Sequence, residues 1–356
     1  MTEIRVADVS NGSCVSLVSD ANNLQIDCGK ANSPTSTNAF QAWEGFTSYP
    51  NHSTESFLLS HFHLDHYNGL AYGAHKDKRR LFSISRAYFP RIPDFPSLIK
   101  QLRNEFYRAV QFLNAVRISF GTGLAEWDFM QMLSRINSTK FLYRSLSNGD
   151  IFCNGSDNFL VVWPPRTVPD TLEHKVSKVL ERFQEFLDSN EEISDLYEKI
   201  RDRIIVYDDG TIAEDEDTKS VLKFELKDKS SQPLFNKIFN EMKEIANELS
   251  IAFVSVDETK KTADGRIVFF GDLQGNALKT VFEKVFTLRK HYKVCLAAHH
   301  GTKIPNSILQ IGRQYFGKVF ASQDRRFFGS SEWKTYTRIC SKAISTYKFG
   351  SVVDSY

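Results

Sequence analysis

The sequence predicts an α/β protein, and two observations carry that expectation. Short apolar, β-rich runs recur along most of the chain with helical-period stretches between them, and three of those runs stop abruptly at residues able to bind a metal. The first runs are 15–18, then 24–26 leading into Asp27-Cys28-Gly29, then 57–59. Residues 94–120 place Leu98, Leu102, Phe106, Val110 and Leu113 along one helical stripe, which predicts a long amphipathic helix. Strand character returns at 157–164, where NFLVVW meets a Pro-Pro pair that ends it. Further strands are expected at 251–256, 267–270, 294–298 and 319–321, with the helical run TVFEKVFTLRKHY between the second and third.

The expected organisation is a single domain over 1–356, interrupted by a helical insertion at 81–140 and a helical, charged insertion at 168–246. Within the second insertion, HKVSKVLERFQEFL and LFNKIFNEMKEIANEL read as helices, and the acidic run DDGTIAEDEDTK between them reads as a solvated loop.

Composition bounds the function classes. The 356 residues are ample for a large core, which 29 Phe help to fill. With 45 basic and 43 acidic residues the net charge is +2, so no global field demands a nucleic-acid or membrane partner. Cys14, Cys28, Cys153, Cys295 and Cys340 are odd in number and contain no Cys-x-x-Cys pair, which predicts reduced thiols rather than a disulfide framework or a thiolate zinc cage. The N-terminal MTEIRVADVS lacks a secretory pattern and no apolar run reaches the length of a membrane span, so a cytoplasmic protein without membrane contact is expected.

The chemistry concentrates in SFLLSHFHLDHYNGL, where His61, His63, Asp65 and His66 follow a short apolar run. Imidazoles and a carboxylate are the groups that hold zinc and similar ions, and four of them within six residues converge readily on one site. The bland alternative is a solvated, His-rich turn, which would leave these groups without a shared partner. Two more strands end in the same manner: RIVFFGDLQG delivers Asp272, and KVCLAAHHGT delivers His299 and His300. Ligand sites in open α/β sheets lie beyond the carboxyl ends of strands, so the three ends are expected to share one rim.

This order of motifs resembles the metallo-β-lactamase superfamily: an Asp-Gly-type strand end at Asp27, the His-x-His-x-Asp-His cluster at 61–66, a Gly-Asp strand end at Asp272 and a late His at His299. Within that superfamily it is most similar to the hydrolase domain of competence-type DNA-uptake proteins, through Asp8-Val9-Ser10-Asn11-Gly12, His299-His300-Gly301-Thr302, the NELSIAF strand and the VVWPP strand end. The match covers about 4–80, 141–166 and 247–356 and leaves both helical stretches unexplained. The resemblance implies an αββα sandwich holding two divalent metal ions, zinc or manganese. His61 and His63 would hold one ion, Asp65 and His66 the second, and Asp272 would bridge them. His299 would complete the second ion's ligands, with His300 as its substitute, and Asp27 would buttress the cluster. Asp65 and Asp272 are then the catalytic carboxylates. The superfamily's third His between His66 and Asp272 has no counterpart in His75 or His174, and a C-terminal Gly-His-Pro is replaced by Phe328-Gly329-Ser330-Ser331.

The implied activity is metal-dependent hydrolysis by activated water, with a nuclease or phosphodiesterase favoured. A small-molecule ester, lactone or thioester hydrolase is the alternative, and a non-catalytic metal-binding or interaction protein the second. Lys303, Arg325 and Arg326, with Phe327, Phe328 and Trp333, are candidate contacts to a nucleic-acid or other phosphodiester substrate. The same run also reads as an amphipathic surface with core aromatics. KDKRR at 76–80 reads as a solvated loop, and the helical insertions are large enough to host a protein partner.

Overall fold

The computed structural model describes residues 3–19, 22–31, 35–47, 53–75, 82–94, 100–122, 129–201, 232–257, 262–305, 309 and 313–355. The expected basic loop at 76–80, the acidic run at 208–219 and Leu98 lie outside these residues, and the side chain of Leu102 is likewise not described.

Two seven-stranded sheets form the centre. The first contains β1 (Glu3–Val6), β2 (Val15–Ser19), β3 (Asn22–Ile26), β4 (Ser53–Leu58), β5 (Arg86–Pro90), β6 (Leu142–Leu146) and β14 (Val352–Ser355), in the order β14-β1-β2-β3-β4-β5-β6. The second contains β7 (Ile151–Asn154), β8 (Asp157–Trp163), β9 (Ala252–Asp257), β10 (Thr262–Phe269), β11 (Tyr292–Leu296), β12 (Phe316–Ala321) and β13 (Cys340–Ser345), in the order β13-β12-β11-β10-β9-β8-β7. Both sheets follow one plan. From β14 to β3, and from β7 to β10, neighbours run antiparallel; from β3 to β6, and from β10 to β13, they run parallel.

The core divides into three apolar layers, and side-chain alternation explains why. Leu24, Ile26 and Leu58 of the first sheet meet Ile267, Phe269, Val294 and Leu296 of the second in a layer between the sheets. Neighbouring positions on the same strands point the other way. Phe57 and Leu59 enter a layer shared with the helices over the first sheet, while Val268, Phe270 and Cys295 enter a layer shared with those over the second. Strands buried on both faces read as unbroken apolar runs, which is why FLL and IVFF stand out in the sequence. The αββα sandwich that the resemblance implies is therefore the architecture of this chain.

Helices α1 (Thr37–Thr47), α2 (Asn68–His75), α3 (Lys100–Thr122), α4 (Phe129–Ile136), α5 (Asp170–Asp188), α6 (Glu191–Arg201) and α7 (Gln232–Glu248) cover the first sheet. Over the second lie α8 (Gly275–Leu288) and α10 (Ser331–Ile339). The short α9 (Arg325–Phe328) and α11 (Thr346–Phe349) complete the described helices. The insertion expected at 81–140 is corrected at its start, because 86–90 is β5, paired between β4 and β6 inside the first sheet. The described part of 168–246 forms α5, α6 and most of α7. These pack against α3, so both helical stretches share one layer on the side that carries His61 to His66.

Candidate metal centre

The ligand loop is fixed by the strand beside it. β3 ends at Asp27, whose backbone is left-handed (φ 55°), and Asp27 N–H donates to Leu58 O at 2.9 Å. The Asp27 carboxylate then works in two directions. Oδ1 accepts from Ser60 N at 2.7 Å and Oδ2 accepts from His66 Nδ1 at 2.8 Å. Cys28 N–H donates to His66 O (2.7 Å) and Gly69 N–H to Cys28 O (2.8 Å), so a short 3-10 turn, Leu64–His66, is pinned across the end of β3. Gly29 is required there, since a Cβ would run into the Asp65 carbonyl.

Within this frame the imidazoles are oriented by their Nδ1 atoms. Ser60 Oγ lies 3.1 Å from Nδ1 of both His61 and His66. Each ring thereby turns Nε2 towards the other ligands, which is how partners outside a metal site set which nitrogen binds. His66 Nε2 faces Asp272 Oδ2 at 3.3 Å, and His300 Nε2 faces the same oxygen at 3.3 Å. His63 Nδ1 and Asp65 Oδ1 face each other as a close pair.

Asp272 and His300 come from the second sheet. Gly271 (φ 54°) turns the chain after β10, and Asp272 N–H donates to Ser250 Oγ at 3.1 Å. After β11, Ala298 N–H donates to the buried Tyr336 hydroxyl (3.1 Å), which itself donates to Lys303 O (3.0 Å), and His299 N–H donates to Gly271 O (2.9 Å). His299 and His300 both adopt left-handed backbone, φ 46° and 56°. Among described residues other than glycine only Ser10, Asp27, His299 and His300 do so, and three of these four build the site. Each such residue costs roughly 1–2 kcal/mol, which the surrounding hydrogen bonds must offset.

The result is two overlapping ligand groups: His61, His66 and Asp272, and Asp65, His66 and His300, each with its candidate ligand atoms within 4.8 Å of one another. All of these side chains are buried. His61 Nε2, His63 Nδ1, Asp65 Oδ1, His66 Nε2 and His300 Nε2 have no hydrogen-bond partner among the described residues. Four of these atoms meet only other candidate ligands, His63 against Asp65 and both His66 and His300 against Asp272, so donors crowd together in a buried site without hydrogen-bond geometry, and a divalent cation fits this donor set.

Electrostatics point the same way. Burial lowers the His61 and His63 imidazoles well below the ordinary value, which keeps each ring neutral with one nitrogen lone pair free to bind a cation. Burial also lowers His299, to about 4. At His66 burial is outweighed by the Asp272 and Asp27 carboxylates, which raise it to about 9. For Asp272 burial would raise the carboxyl, but His300, His66 and His299 hold it well below the ordinary range.

The structure brings together His61, Asp65, His66, Asp272 and His300, with Asp27 behind His66. His63 adjoins the cluster through Asp65 without entering either ligand group. The placement of the late histidines differs from the expectation, because His300, not His299, faces Asp272. Two successive left-handed residues swing the first side chain away and the second inward. Neither His75 nor His174 belongs to a ligand group among the described residues.

The residues expected as substrate contacts lie as follows. Arg326 is exposed and paired with Asp324 (Nε–Oδ2 2.9 Å), Arg325 is exposed, and Trp333 and Tyr336 are core residues. Lys303 is exposed and near enough to His299 to lower its pKa further. Sequence reasoning missed Ser60, Ser250 and Tyr336, which orient the ligands, and also Lys243 of α7. Lys243 lines a narrow cavity with His63, Phe62, Asn114, Phe239 and Met242. Ser60, adjacent to His61, and Ser250, within NELSIAF, stood inside motifs that the sequence displays.

No protein-family profile and no curated protein matches the chain. Among solved structures it is similar to the metallo-β-lactamase fold protein YhfI from Bacillus subtilis, at 10% identity with 100% of both chains covered and a TM-score of 0.42. It is also similar to Zn2+-bound PqqB from Methylobacterium extorquens, at 9% identity, 100% of both chains and a TM-score of 0.41. A third is the metallo-β-lactamase SMB-1 bound to 2-mercaptoethanesulfonate, at 12% identity over 83% of this chain and 79% of that one, with a TM-score of 0.32.

Proposed function

We propose that this chain is a metal-dependent hydrolase that cleaves a phosphodiester with water. The observation that carries the reading is the pair of overlapping buried ligand groups whose donor atoms face one another without hydrogen-bond geometry. An imidazole nitrogen has one lone pair, so His66 serves one ion, whereas a carboxylate has two oxygens and can serve two. Asp272 is thus the residue able to serve both ions. His61 and His63 would hold one, and Asp65, His66 and His300 the other, with zinc or manganese suited to this set. When bound, such a pair supplies a water that is nucleophilic near neutral pH and neutralises charge on the scissile group.

The chain's own residues do the rest. Asp27 and Ser60 hold the His66 and His61 rings so that Nε2 of each faces the site, and Asp65 and Asp272 are placed to orient the attacking water. The buried setting strengthens each of these interactions. The motif resemblance to competence-type hydrolases favours a phosphodiester substrate. A second reading, hydrolysis of a small ester, lactone or thioester, is favoured by the apolar wall of the cavity beside His63, formed by Phe62, Val110, Leu113, Phe239 and Met242.

The deciding experiment compares bis-p-nitrophenyl phosphate, single-stranded DNA and RNA with p-nitrophenyl acetate, a lactone and a thioester, each with and without chelator. Chelator-sensitive cleavage of the diesters, absent in His61→Ala, is expected. Cleavage confined to the acyl substrates moves the assignment to the second reading, and metal binding without hydrolysis of either class overturns both.

A further inference from the structure

The two helical stretches that the motif resemblance leaves unexplained bring charge to the site. α3 is tied to the ligand loop by Asn114, whose Nδ2 donates to Phe62 O at 3.0 Å. One turn further along α3, the guanidinium of Arg117 stacks over the Phe239 ring of α7, 4.6 Å from its centroid. Phe239 in turn lies beside His63, with ring centroids 6.1 Å apart. Lys243, one turn after Phe239, lines the same cavity as His63 and Asn114. Both cations are half-buried, and neither makes an ion pair or hydrogen bond to another described residue. Several other cations on these helices are answered by carboxylates: Arg103 pairs with Asp94, Arg108 with Glu105, and Arg182 of α5 with Glu241 of α7.

A half-buried cation without a carboxylate is costly, and two placed side by side repel each other. Asp272 is the acidic group that acts on Lys243, and Arg117 opposes it. Lys243 thus lines the narrow cavity beside His63, and Arg117 lies over the Phe239 ring that forms part of its wall, so both positive charges stand next to the metal ligands.

Resting on the function proposed above, we infer that Lys243 and Arg117 form a phosphate-recognition face on the His63 side of the site, which selects anionic over neutral substrates. The guanidinium is matched to phosphate oxygens and the ammonium serves as a point charge. The aromatic ring of Phe239 between them holds the guanidinium in place. On this inference the helical insertions set specificity, while the strand-end residues perform the chemistry.

The test uses Lys243→Met and Arg117→Met, which keep the apolar stems, with Lys243→Arg as the conservative variant and thermal melting as a check on folding. Two readouts are needed. In chelator-treated protein, calorimetry measures binding of inorganic phosphate, with acetate as the carboxylate comparison. In metal-loaded protein, steady-state kinetics compare bis-p-nitrophenyl phosphate with p-nitrophenyl acetate. Each Met variant is expected to weaken phosphate binding about tenfold and to raise KM for the diester by a similar factor, with kcat within about threefold of wild type. Values for the neutral ester should be unchanged, and Lys243→Arg should recover most of the diester KM. Equal losses on the charged and neutral substrates, phosphate binding indifferent to both Met variants, or acetate binding as tightly as phosphate would each overturn the inference. Should no ester be hydrolysed, the function proposed above fails, and phosphate binding to the metal-free protein still decides this one.

Discussion

The two sheets repeat one plan, yet they use the same position differently. In each, the strand where antiparallel pairing gives way to parallel pairing, β3 or β10, is followed within three residues by an aspartate. The next parallel strand, β4 or β11, is followed at the third residue by a histidine. Asp27 turns back into its own half, where it takes the Ser60 amide and the His66 ring. Asp272 turns outward, and a single carboxylate oxygen faces a histidine from each half, His66 and His300, at 3.3 Å. Equivalent carboxylates thus divide the labour: one fixes a histidine's orientation, and the other is a candidate ligand shared between the halves. The difference follows from what surrounds them. Asp27 meets the dense hydrogen-bonded loop 59–69, while Asp272 meets two imidazole nitrogens, His66 Nε2 and His300 Nε2, that make no other contact to a carboxylate among the described residues.

That comparison breaks most visibly at the aspartates themselves. Asp272→Ala removes the group shared between ligand sets, and hydrolysis is expected to fall on the order of a thousandfold, with metal lost in parallel. Steady-state assays beside elemental analysis check this, and retained metal with retained rate would remove Asp272 from the site. The next largest contrast lies within the second half. His300→Ala is expected to weaken metal binding at least about a hundredfold, whereas His299→Ala changes it by less than about threefold. Competition with a chromophoric chelator reads both, and the opposite ranking would restore His299 as the ligand. The smallest effect tests the supporting role. Asp27→Asn keeps the shape but lacks one acceptor oxygen, so metal affinity should fall about 10- to 100-fold while the ligands remain in place. A loss as large as that of Asp272→Ala would make Asp27 more than a support.

How much of this was legible in the sequence depends on where each residue's partners lie. Strands buried on both faces, such as β4, β10 and β11, announce themselves as apolar runs, and the ligands follow directly at their ends. The edge strands do not. β14 is half-exposed along its length, and β13 mixes polar and apolar residues in CSKAIS, while the interior β5 ends in a proline that argues against a strand. β6 and β7 likewise escape notice, because LYRSL and IFCN are short and only half apolar. The choice between His299 and His300 was invisible because it turns on two left-handed residues, which adjacent identical side chains cannot encode. Lys243 and Arg117 were unreadable for a different reason. Each sits on an unremarkable amphipathic helix, and only the packing of α3 on α7 brings both to His63.

The central claim is that His61, His63, Asp65, His66, Asp272 and His300 form one metal centre, and the most direct test is the divalent metal content of the purified chain. About two ions per chain, zinc or manganese, are expected, removed by chelator and restored on dialysis against the metal. A chain that carries no stoichiometric metal and takes none up would contradict it.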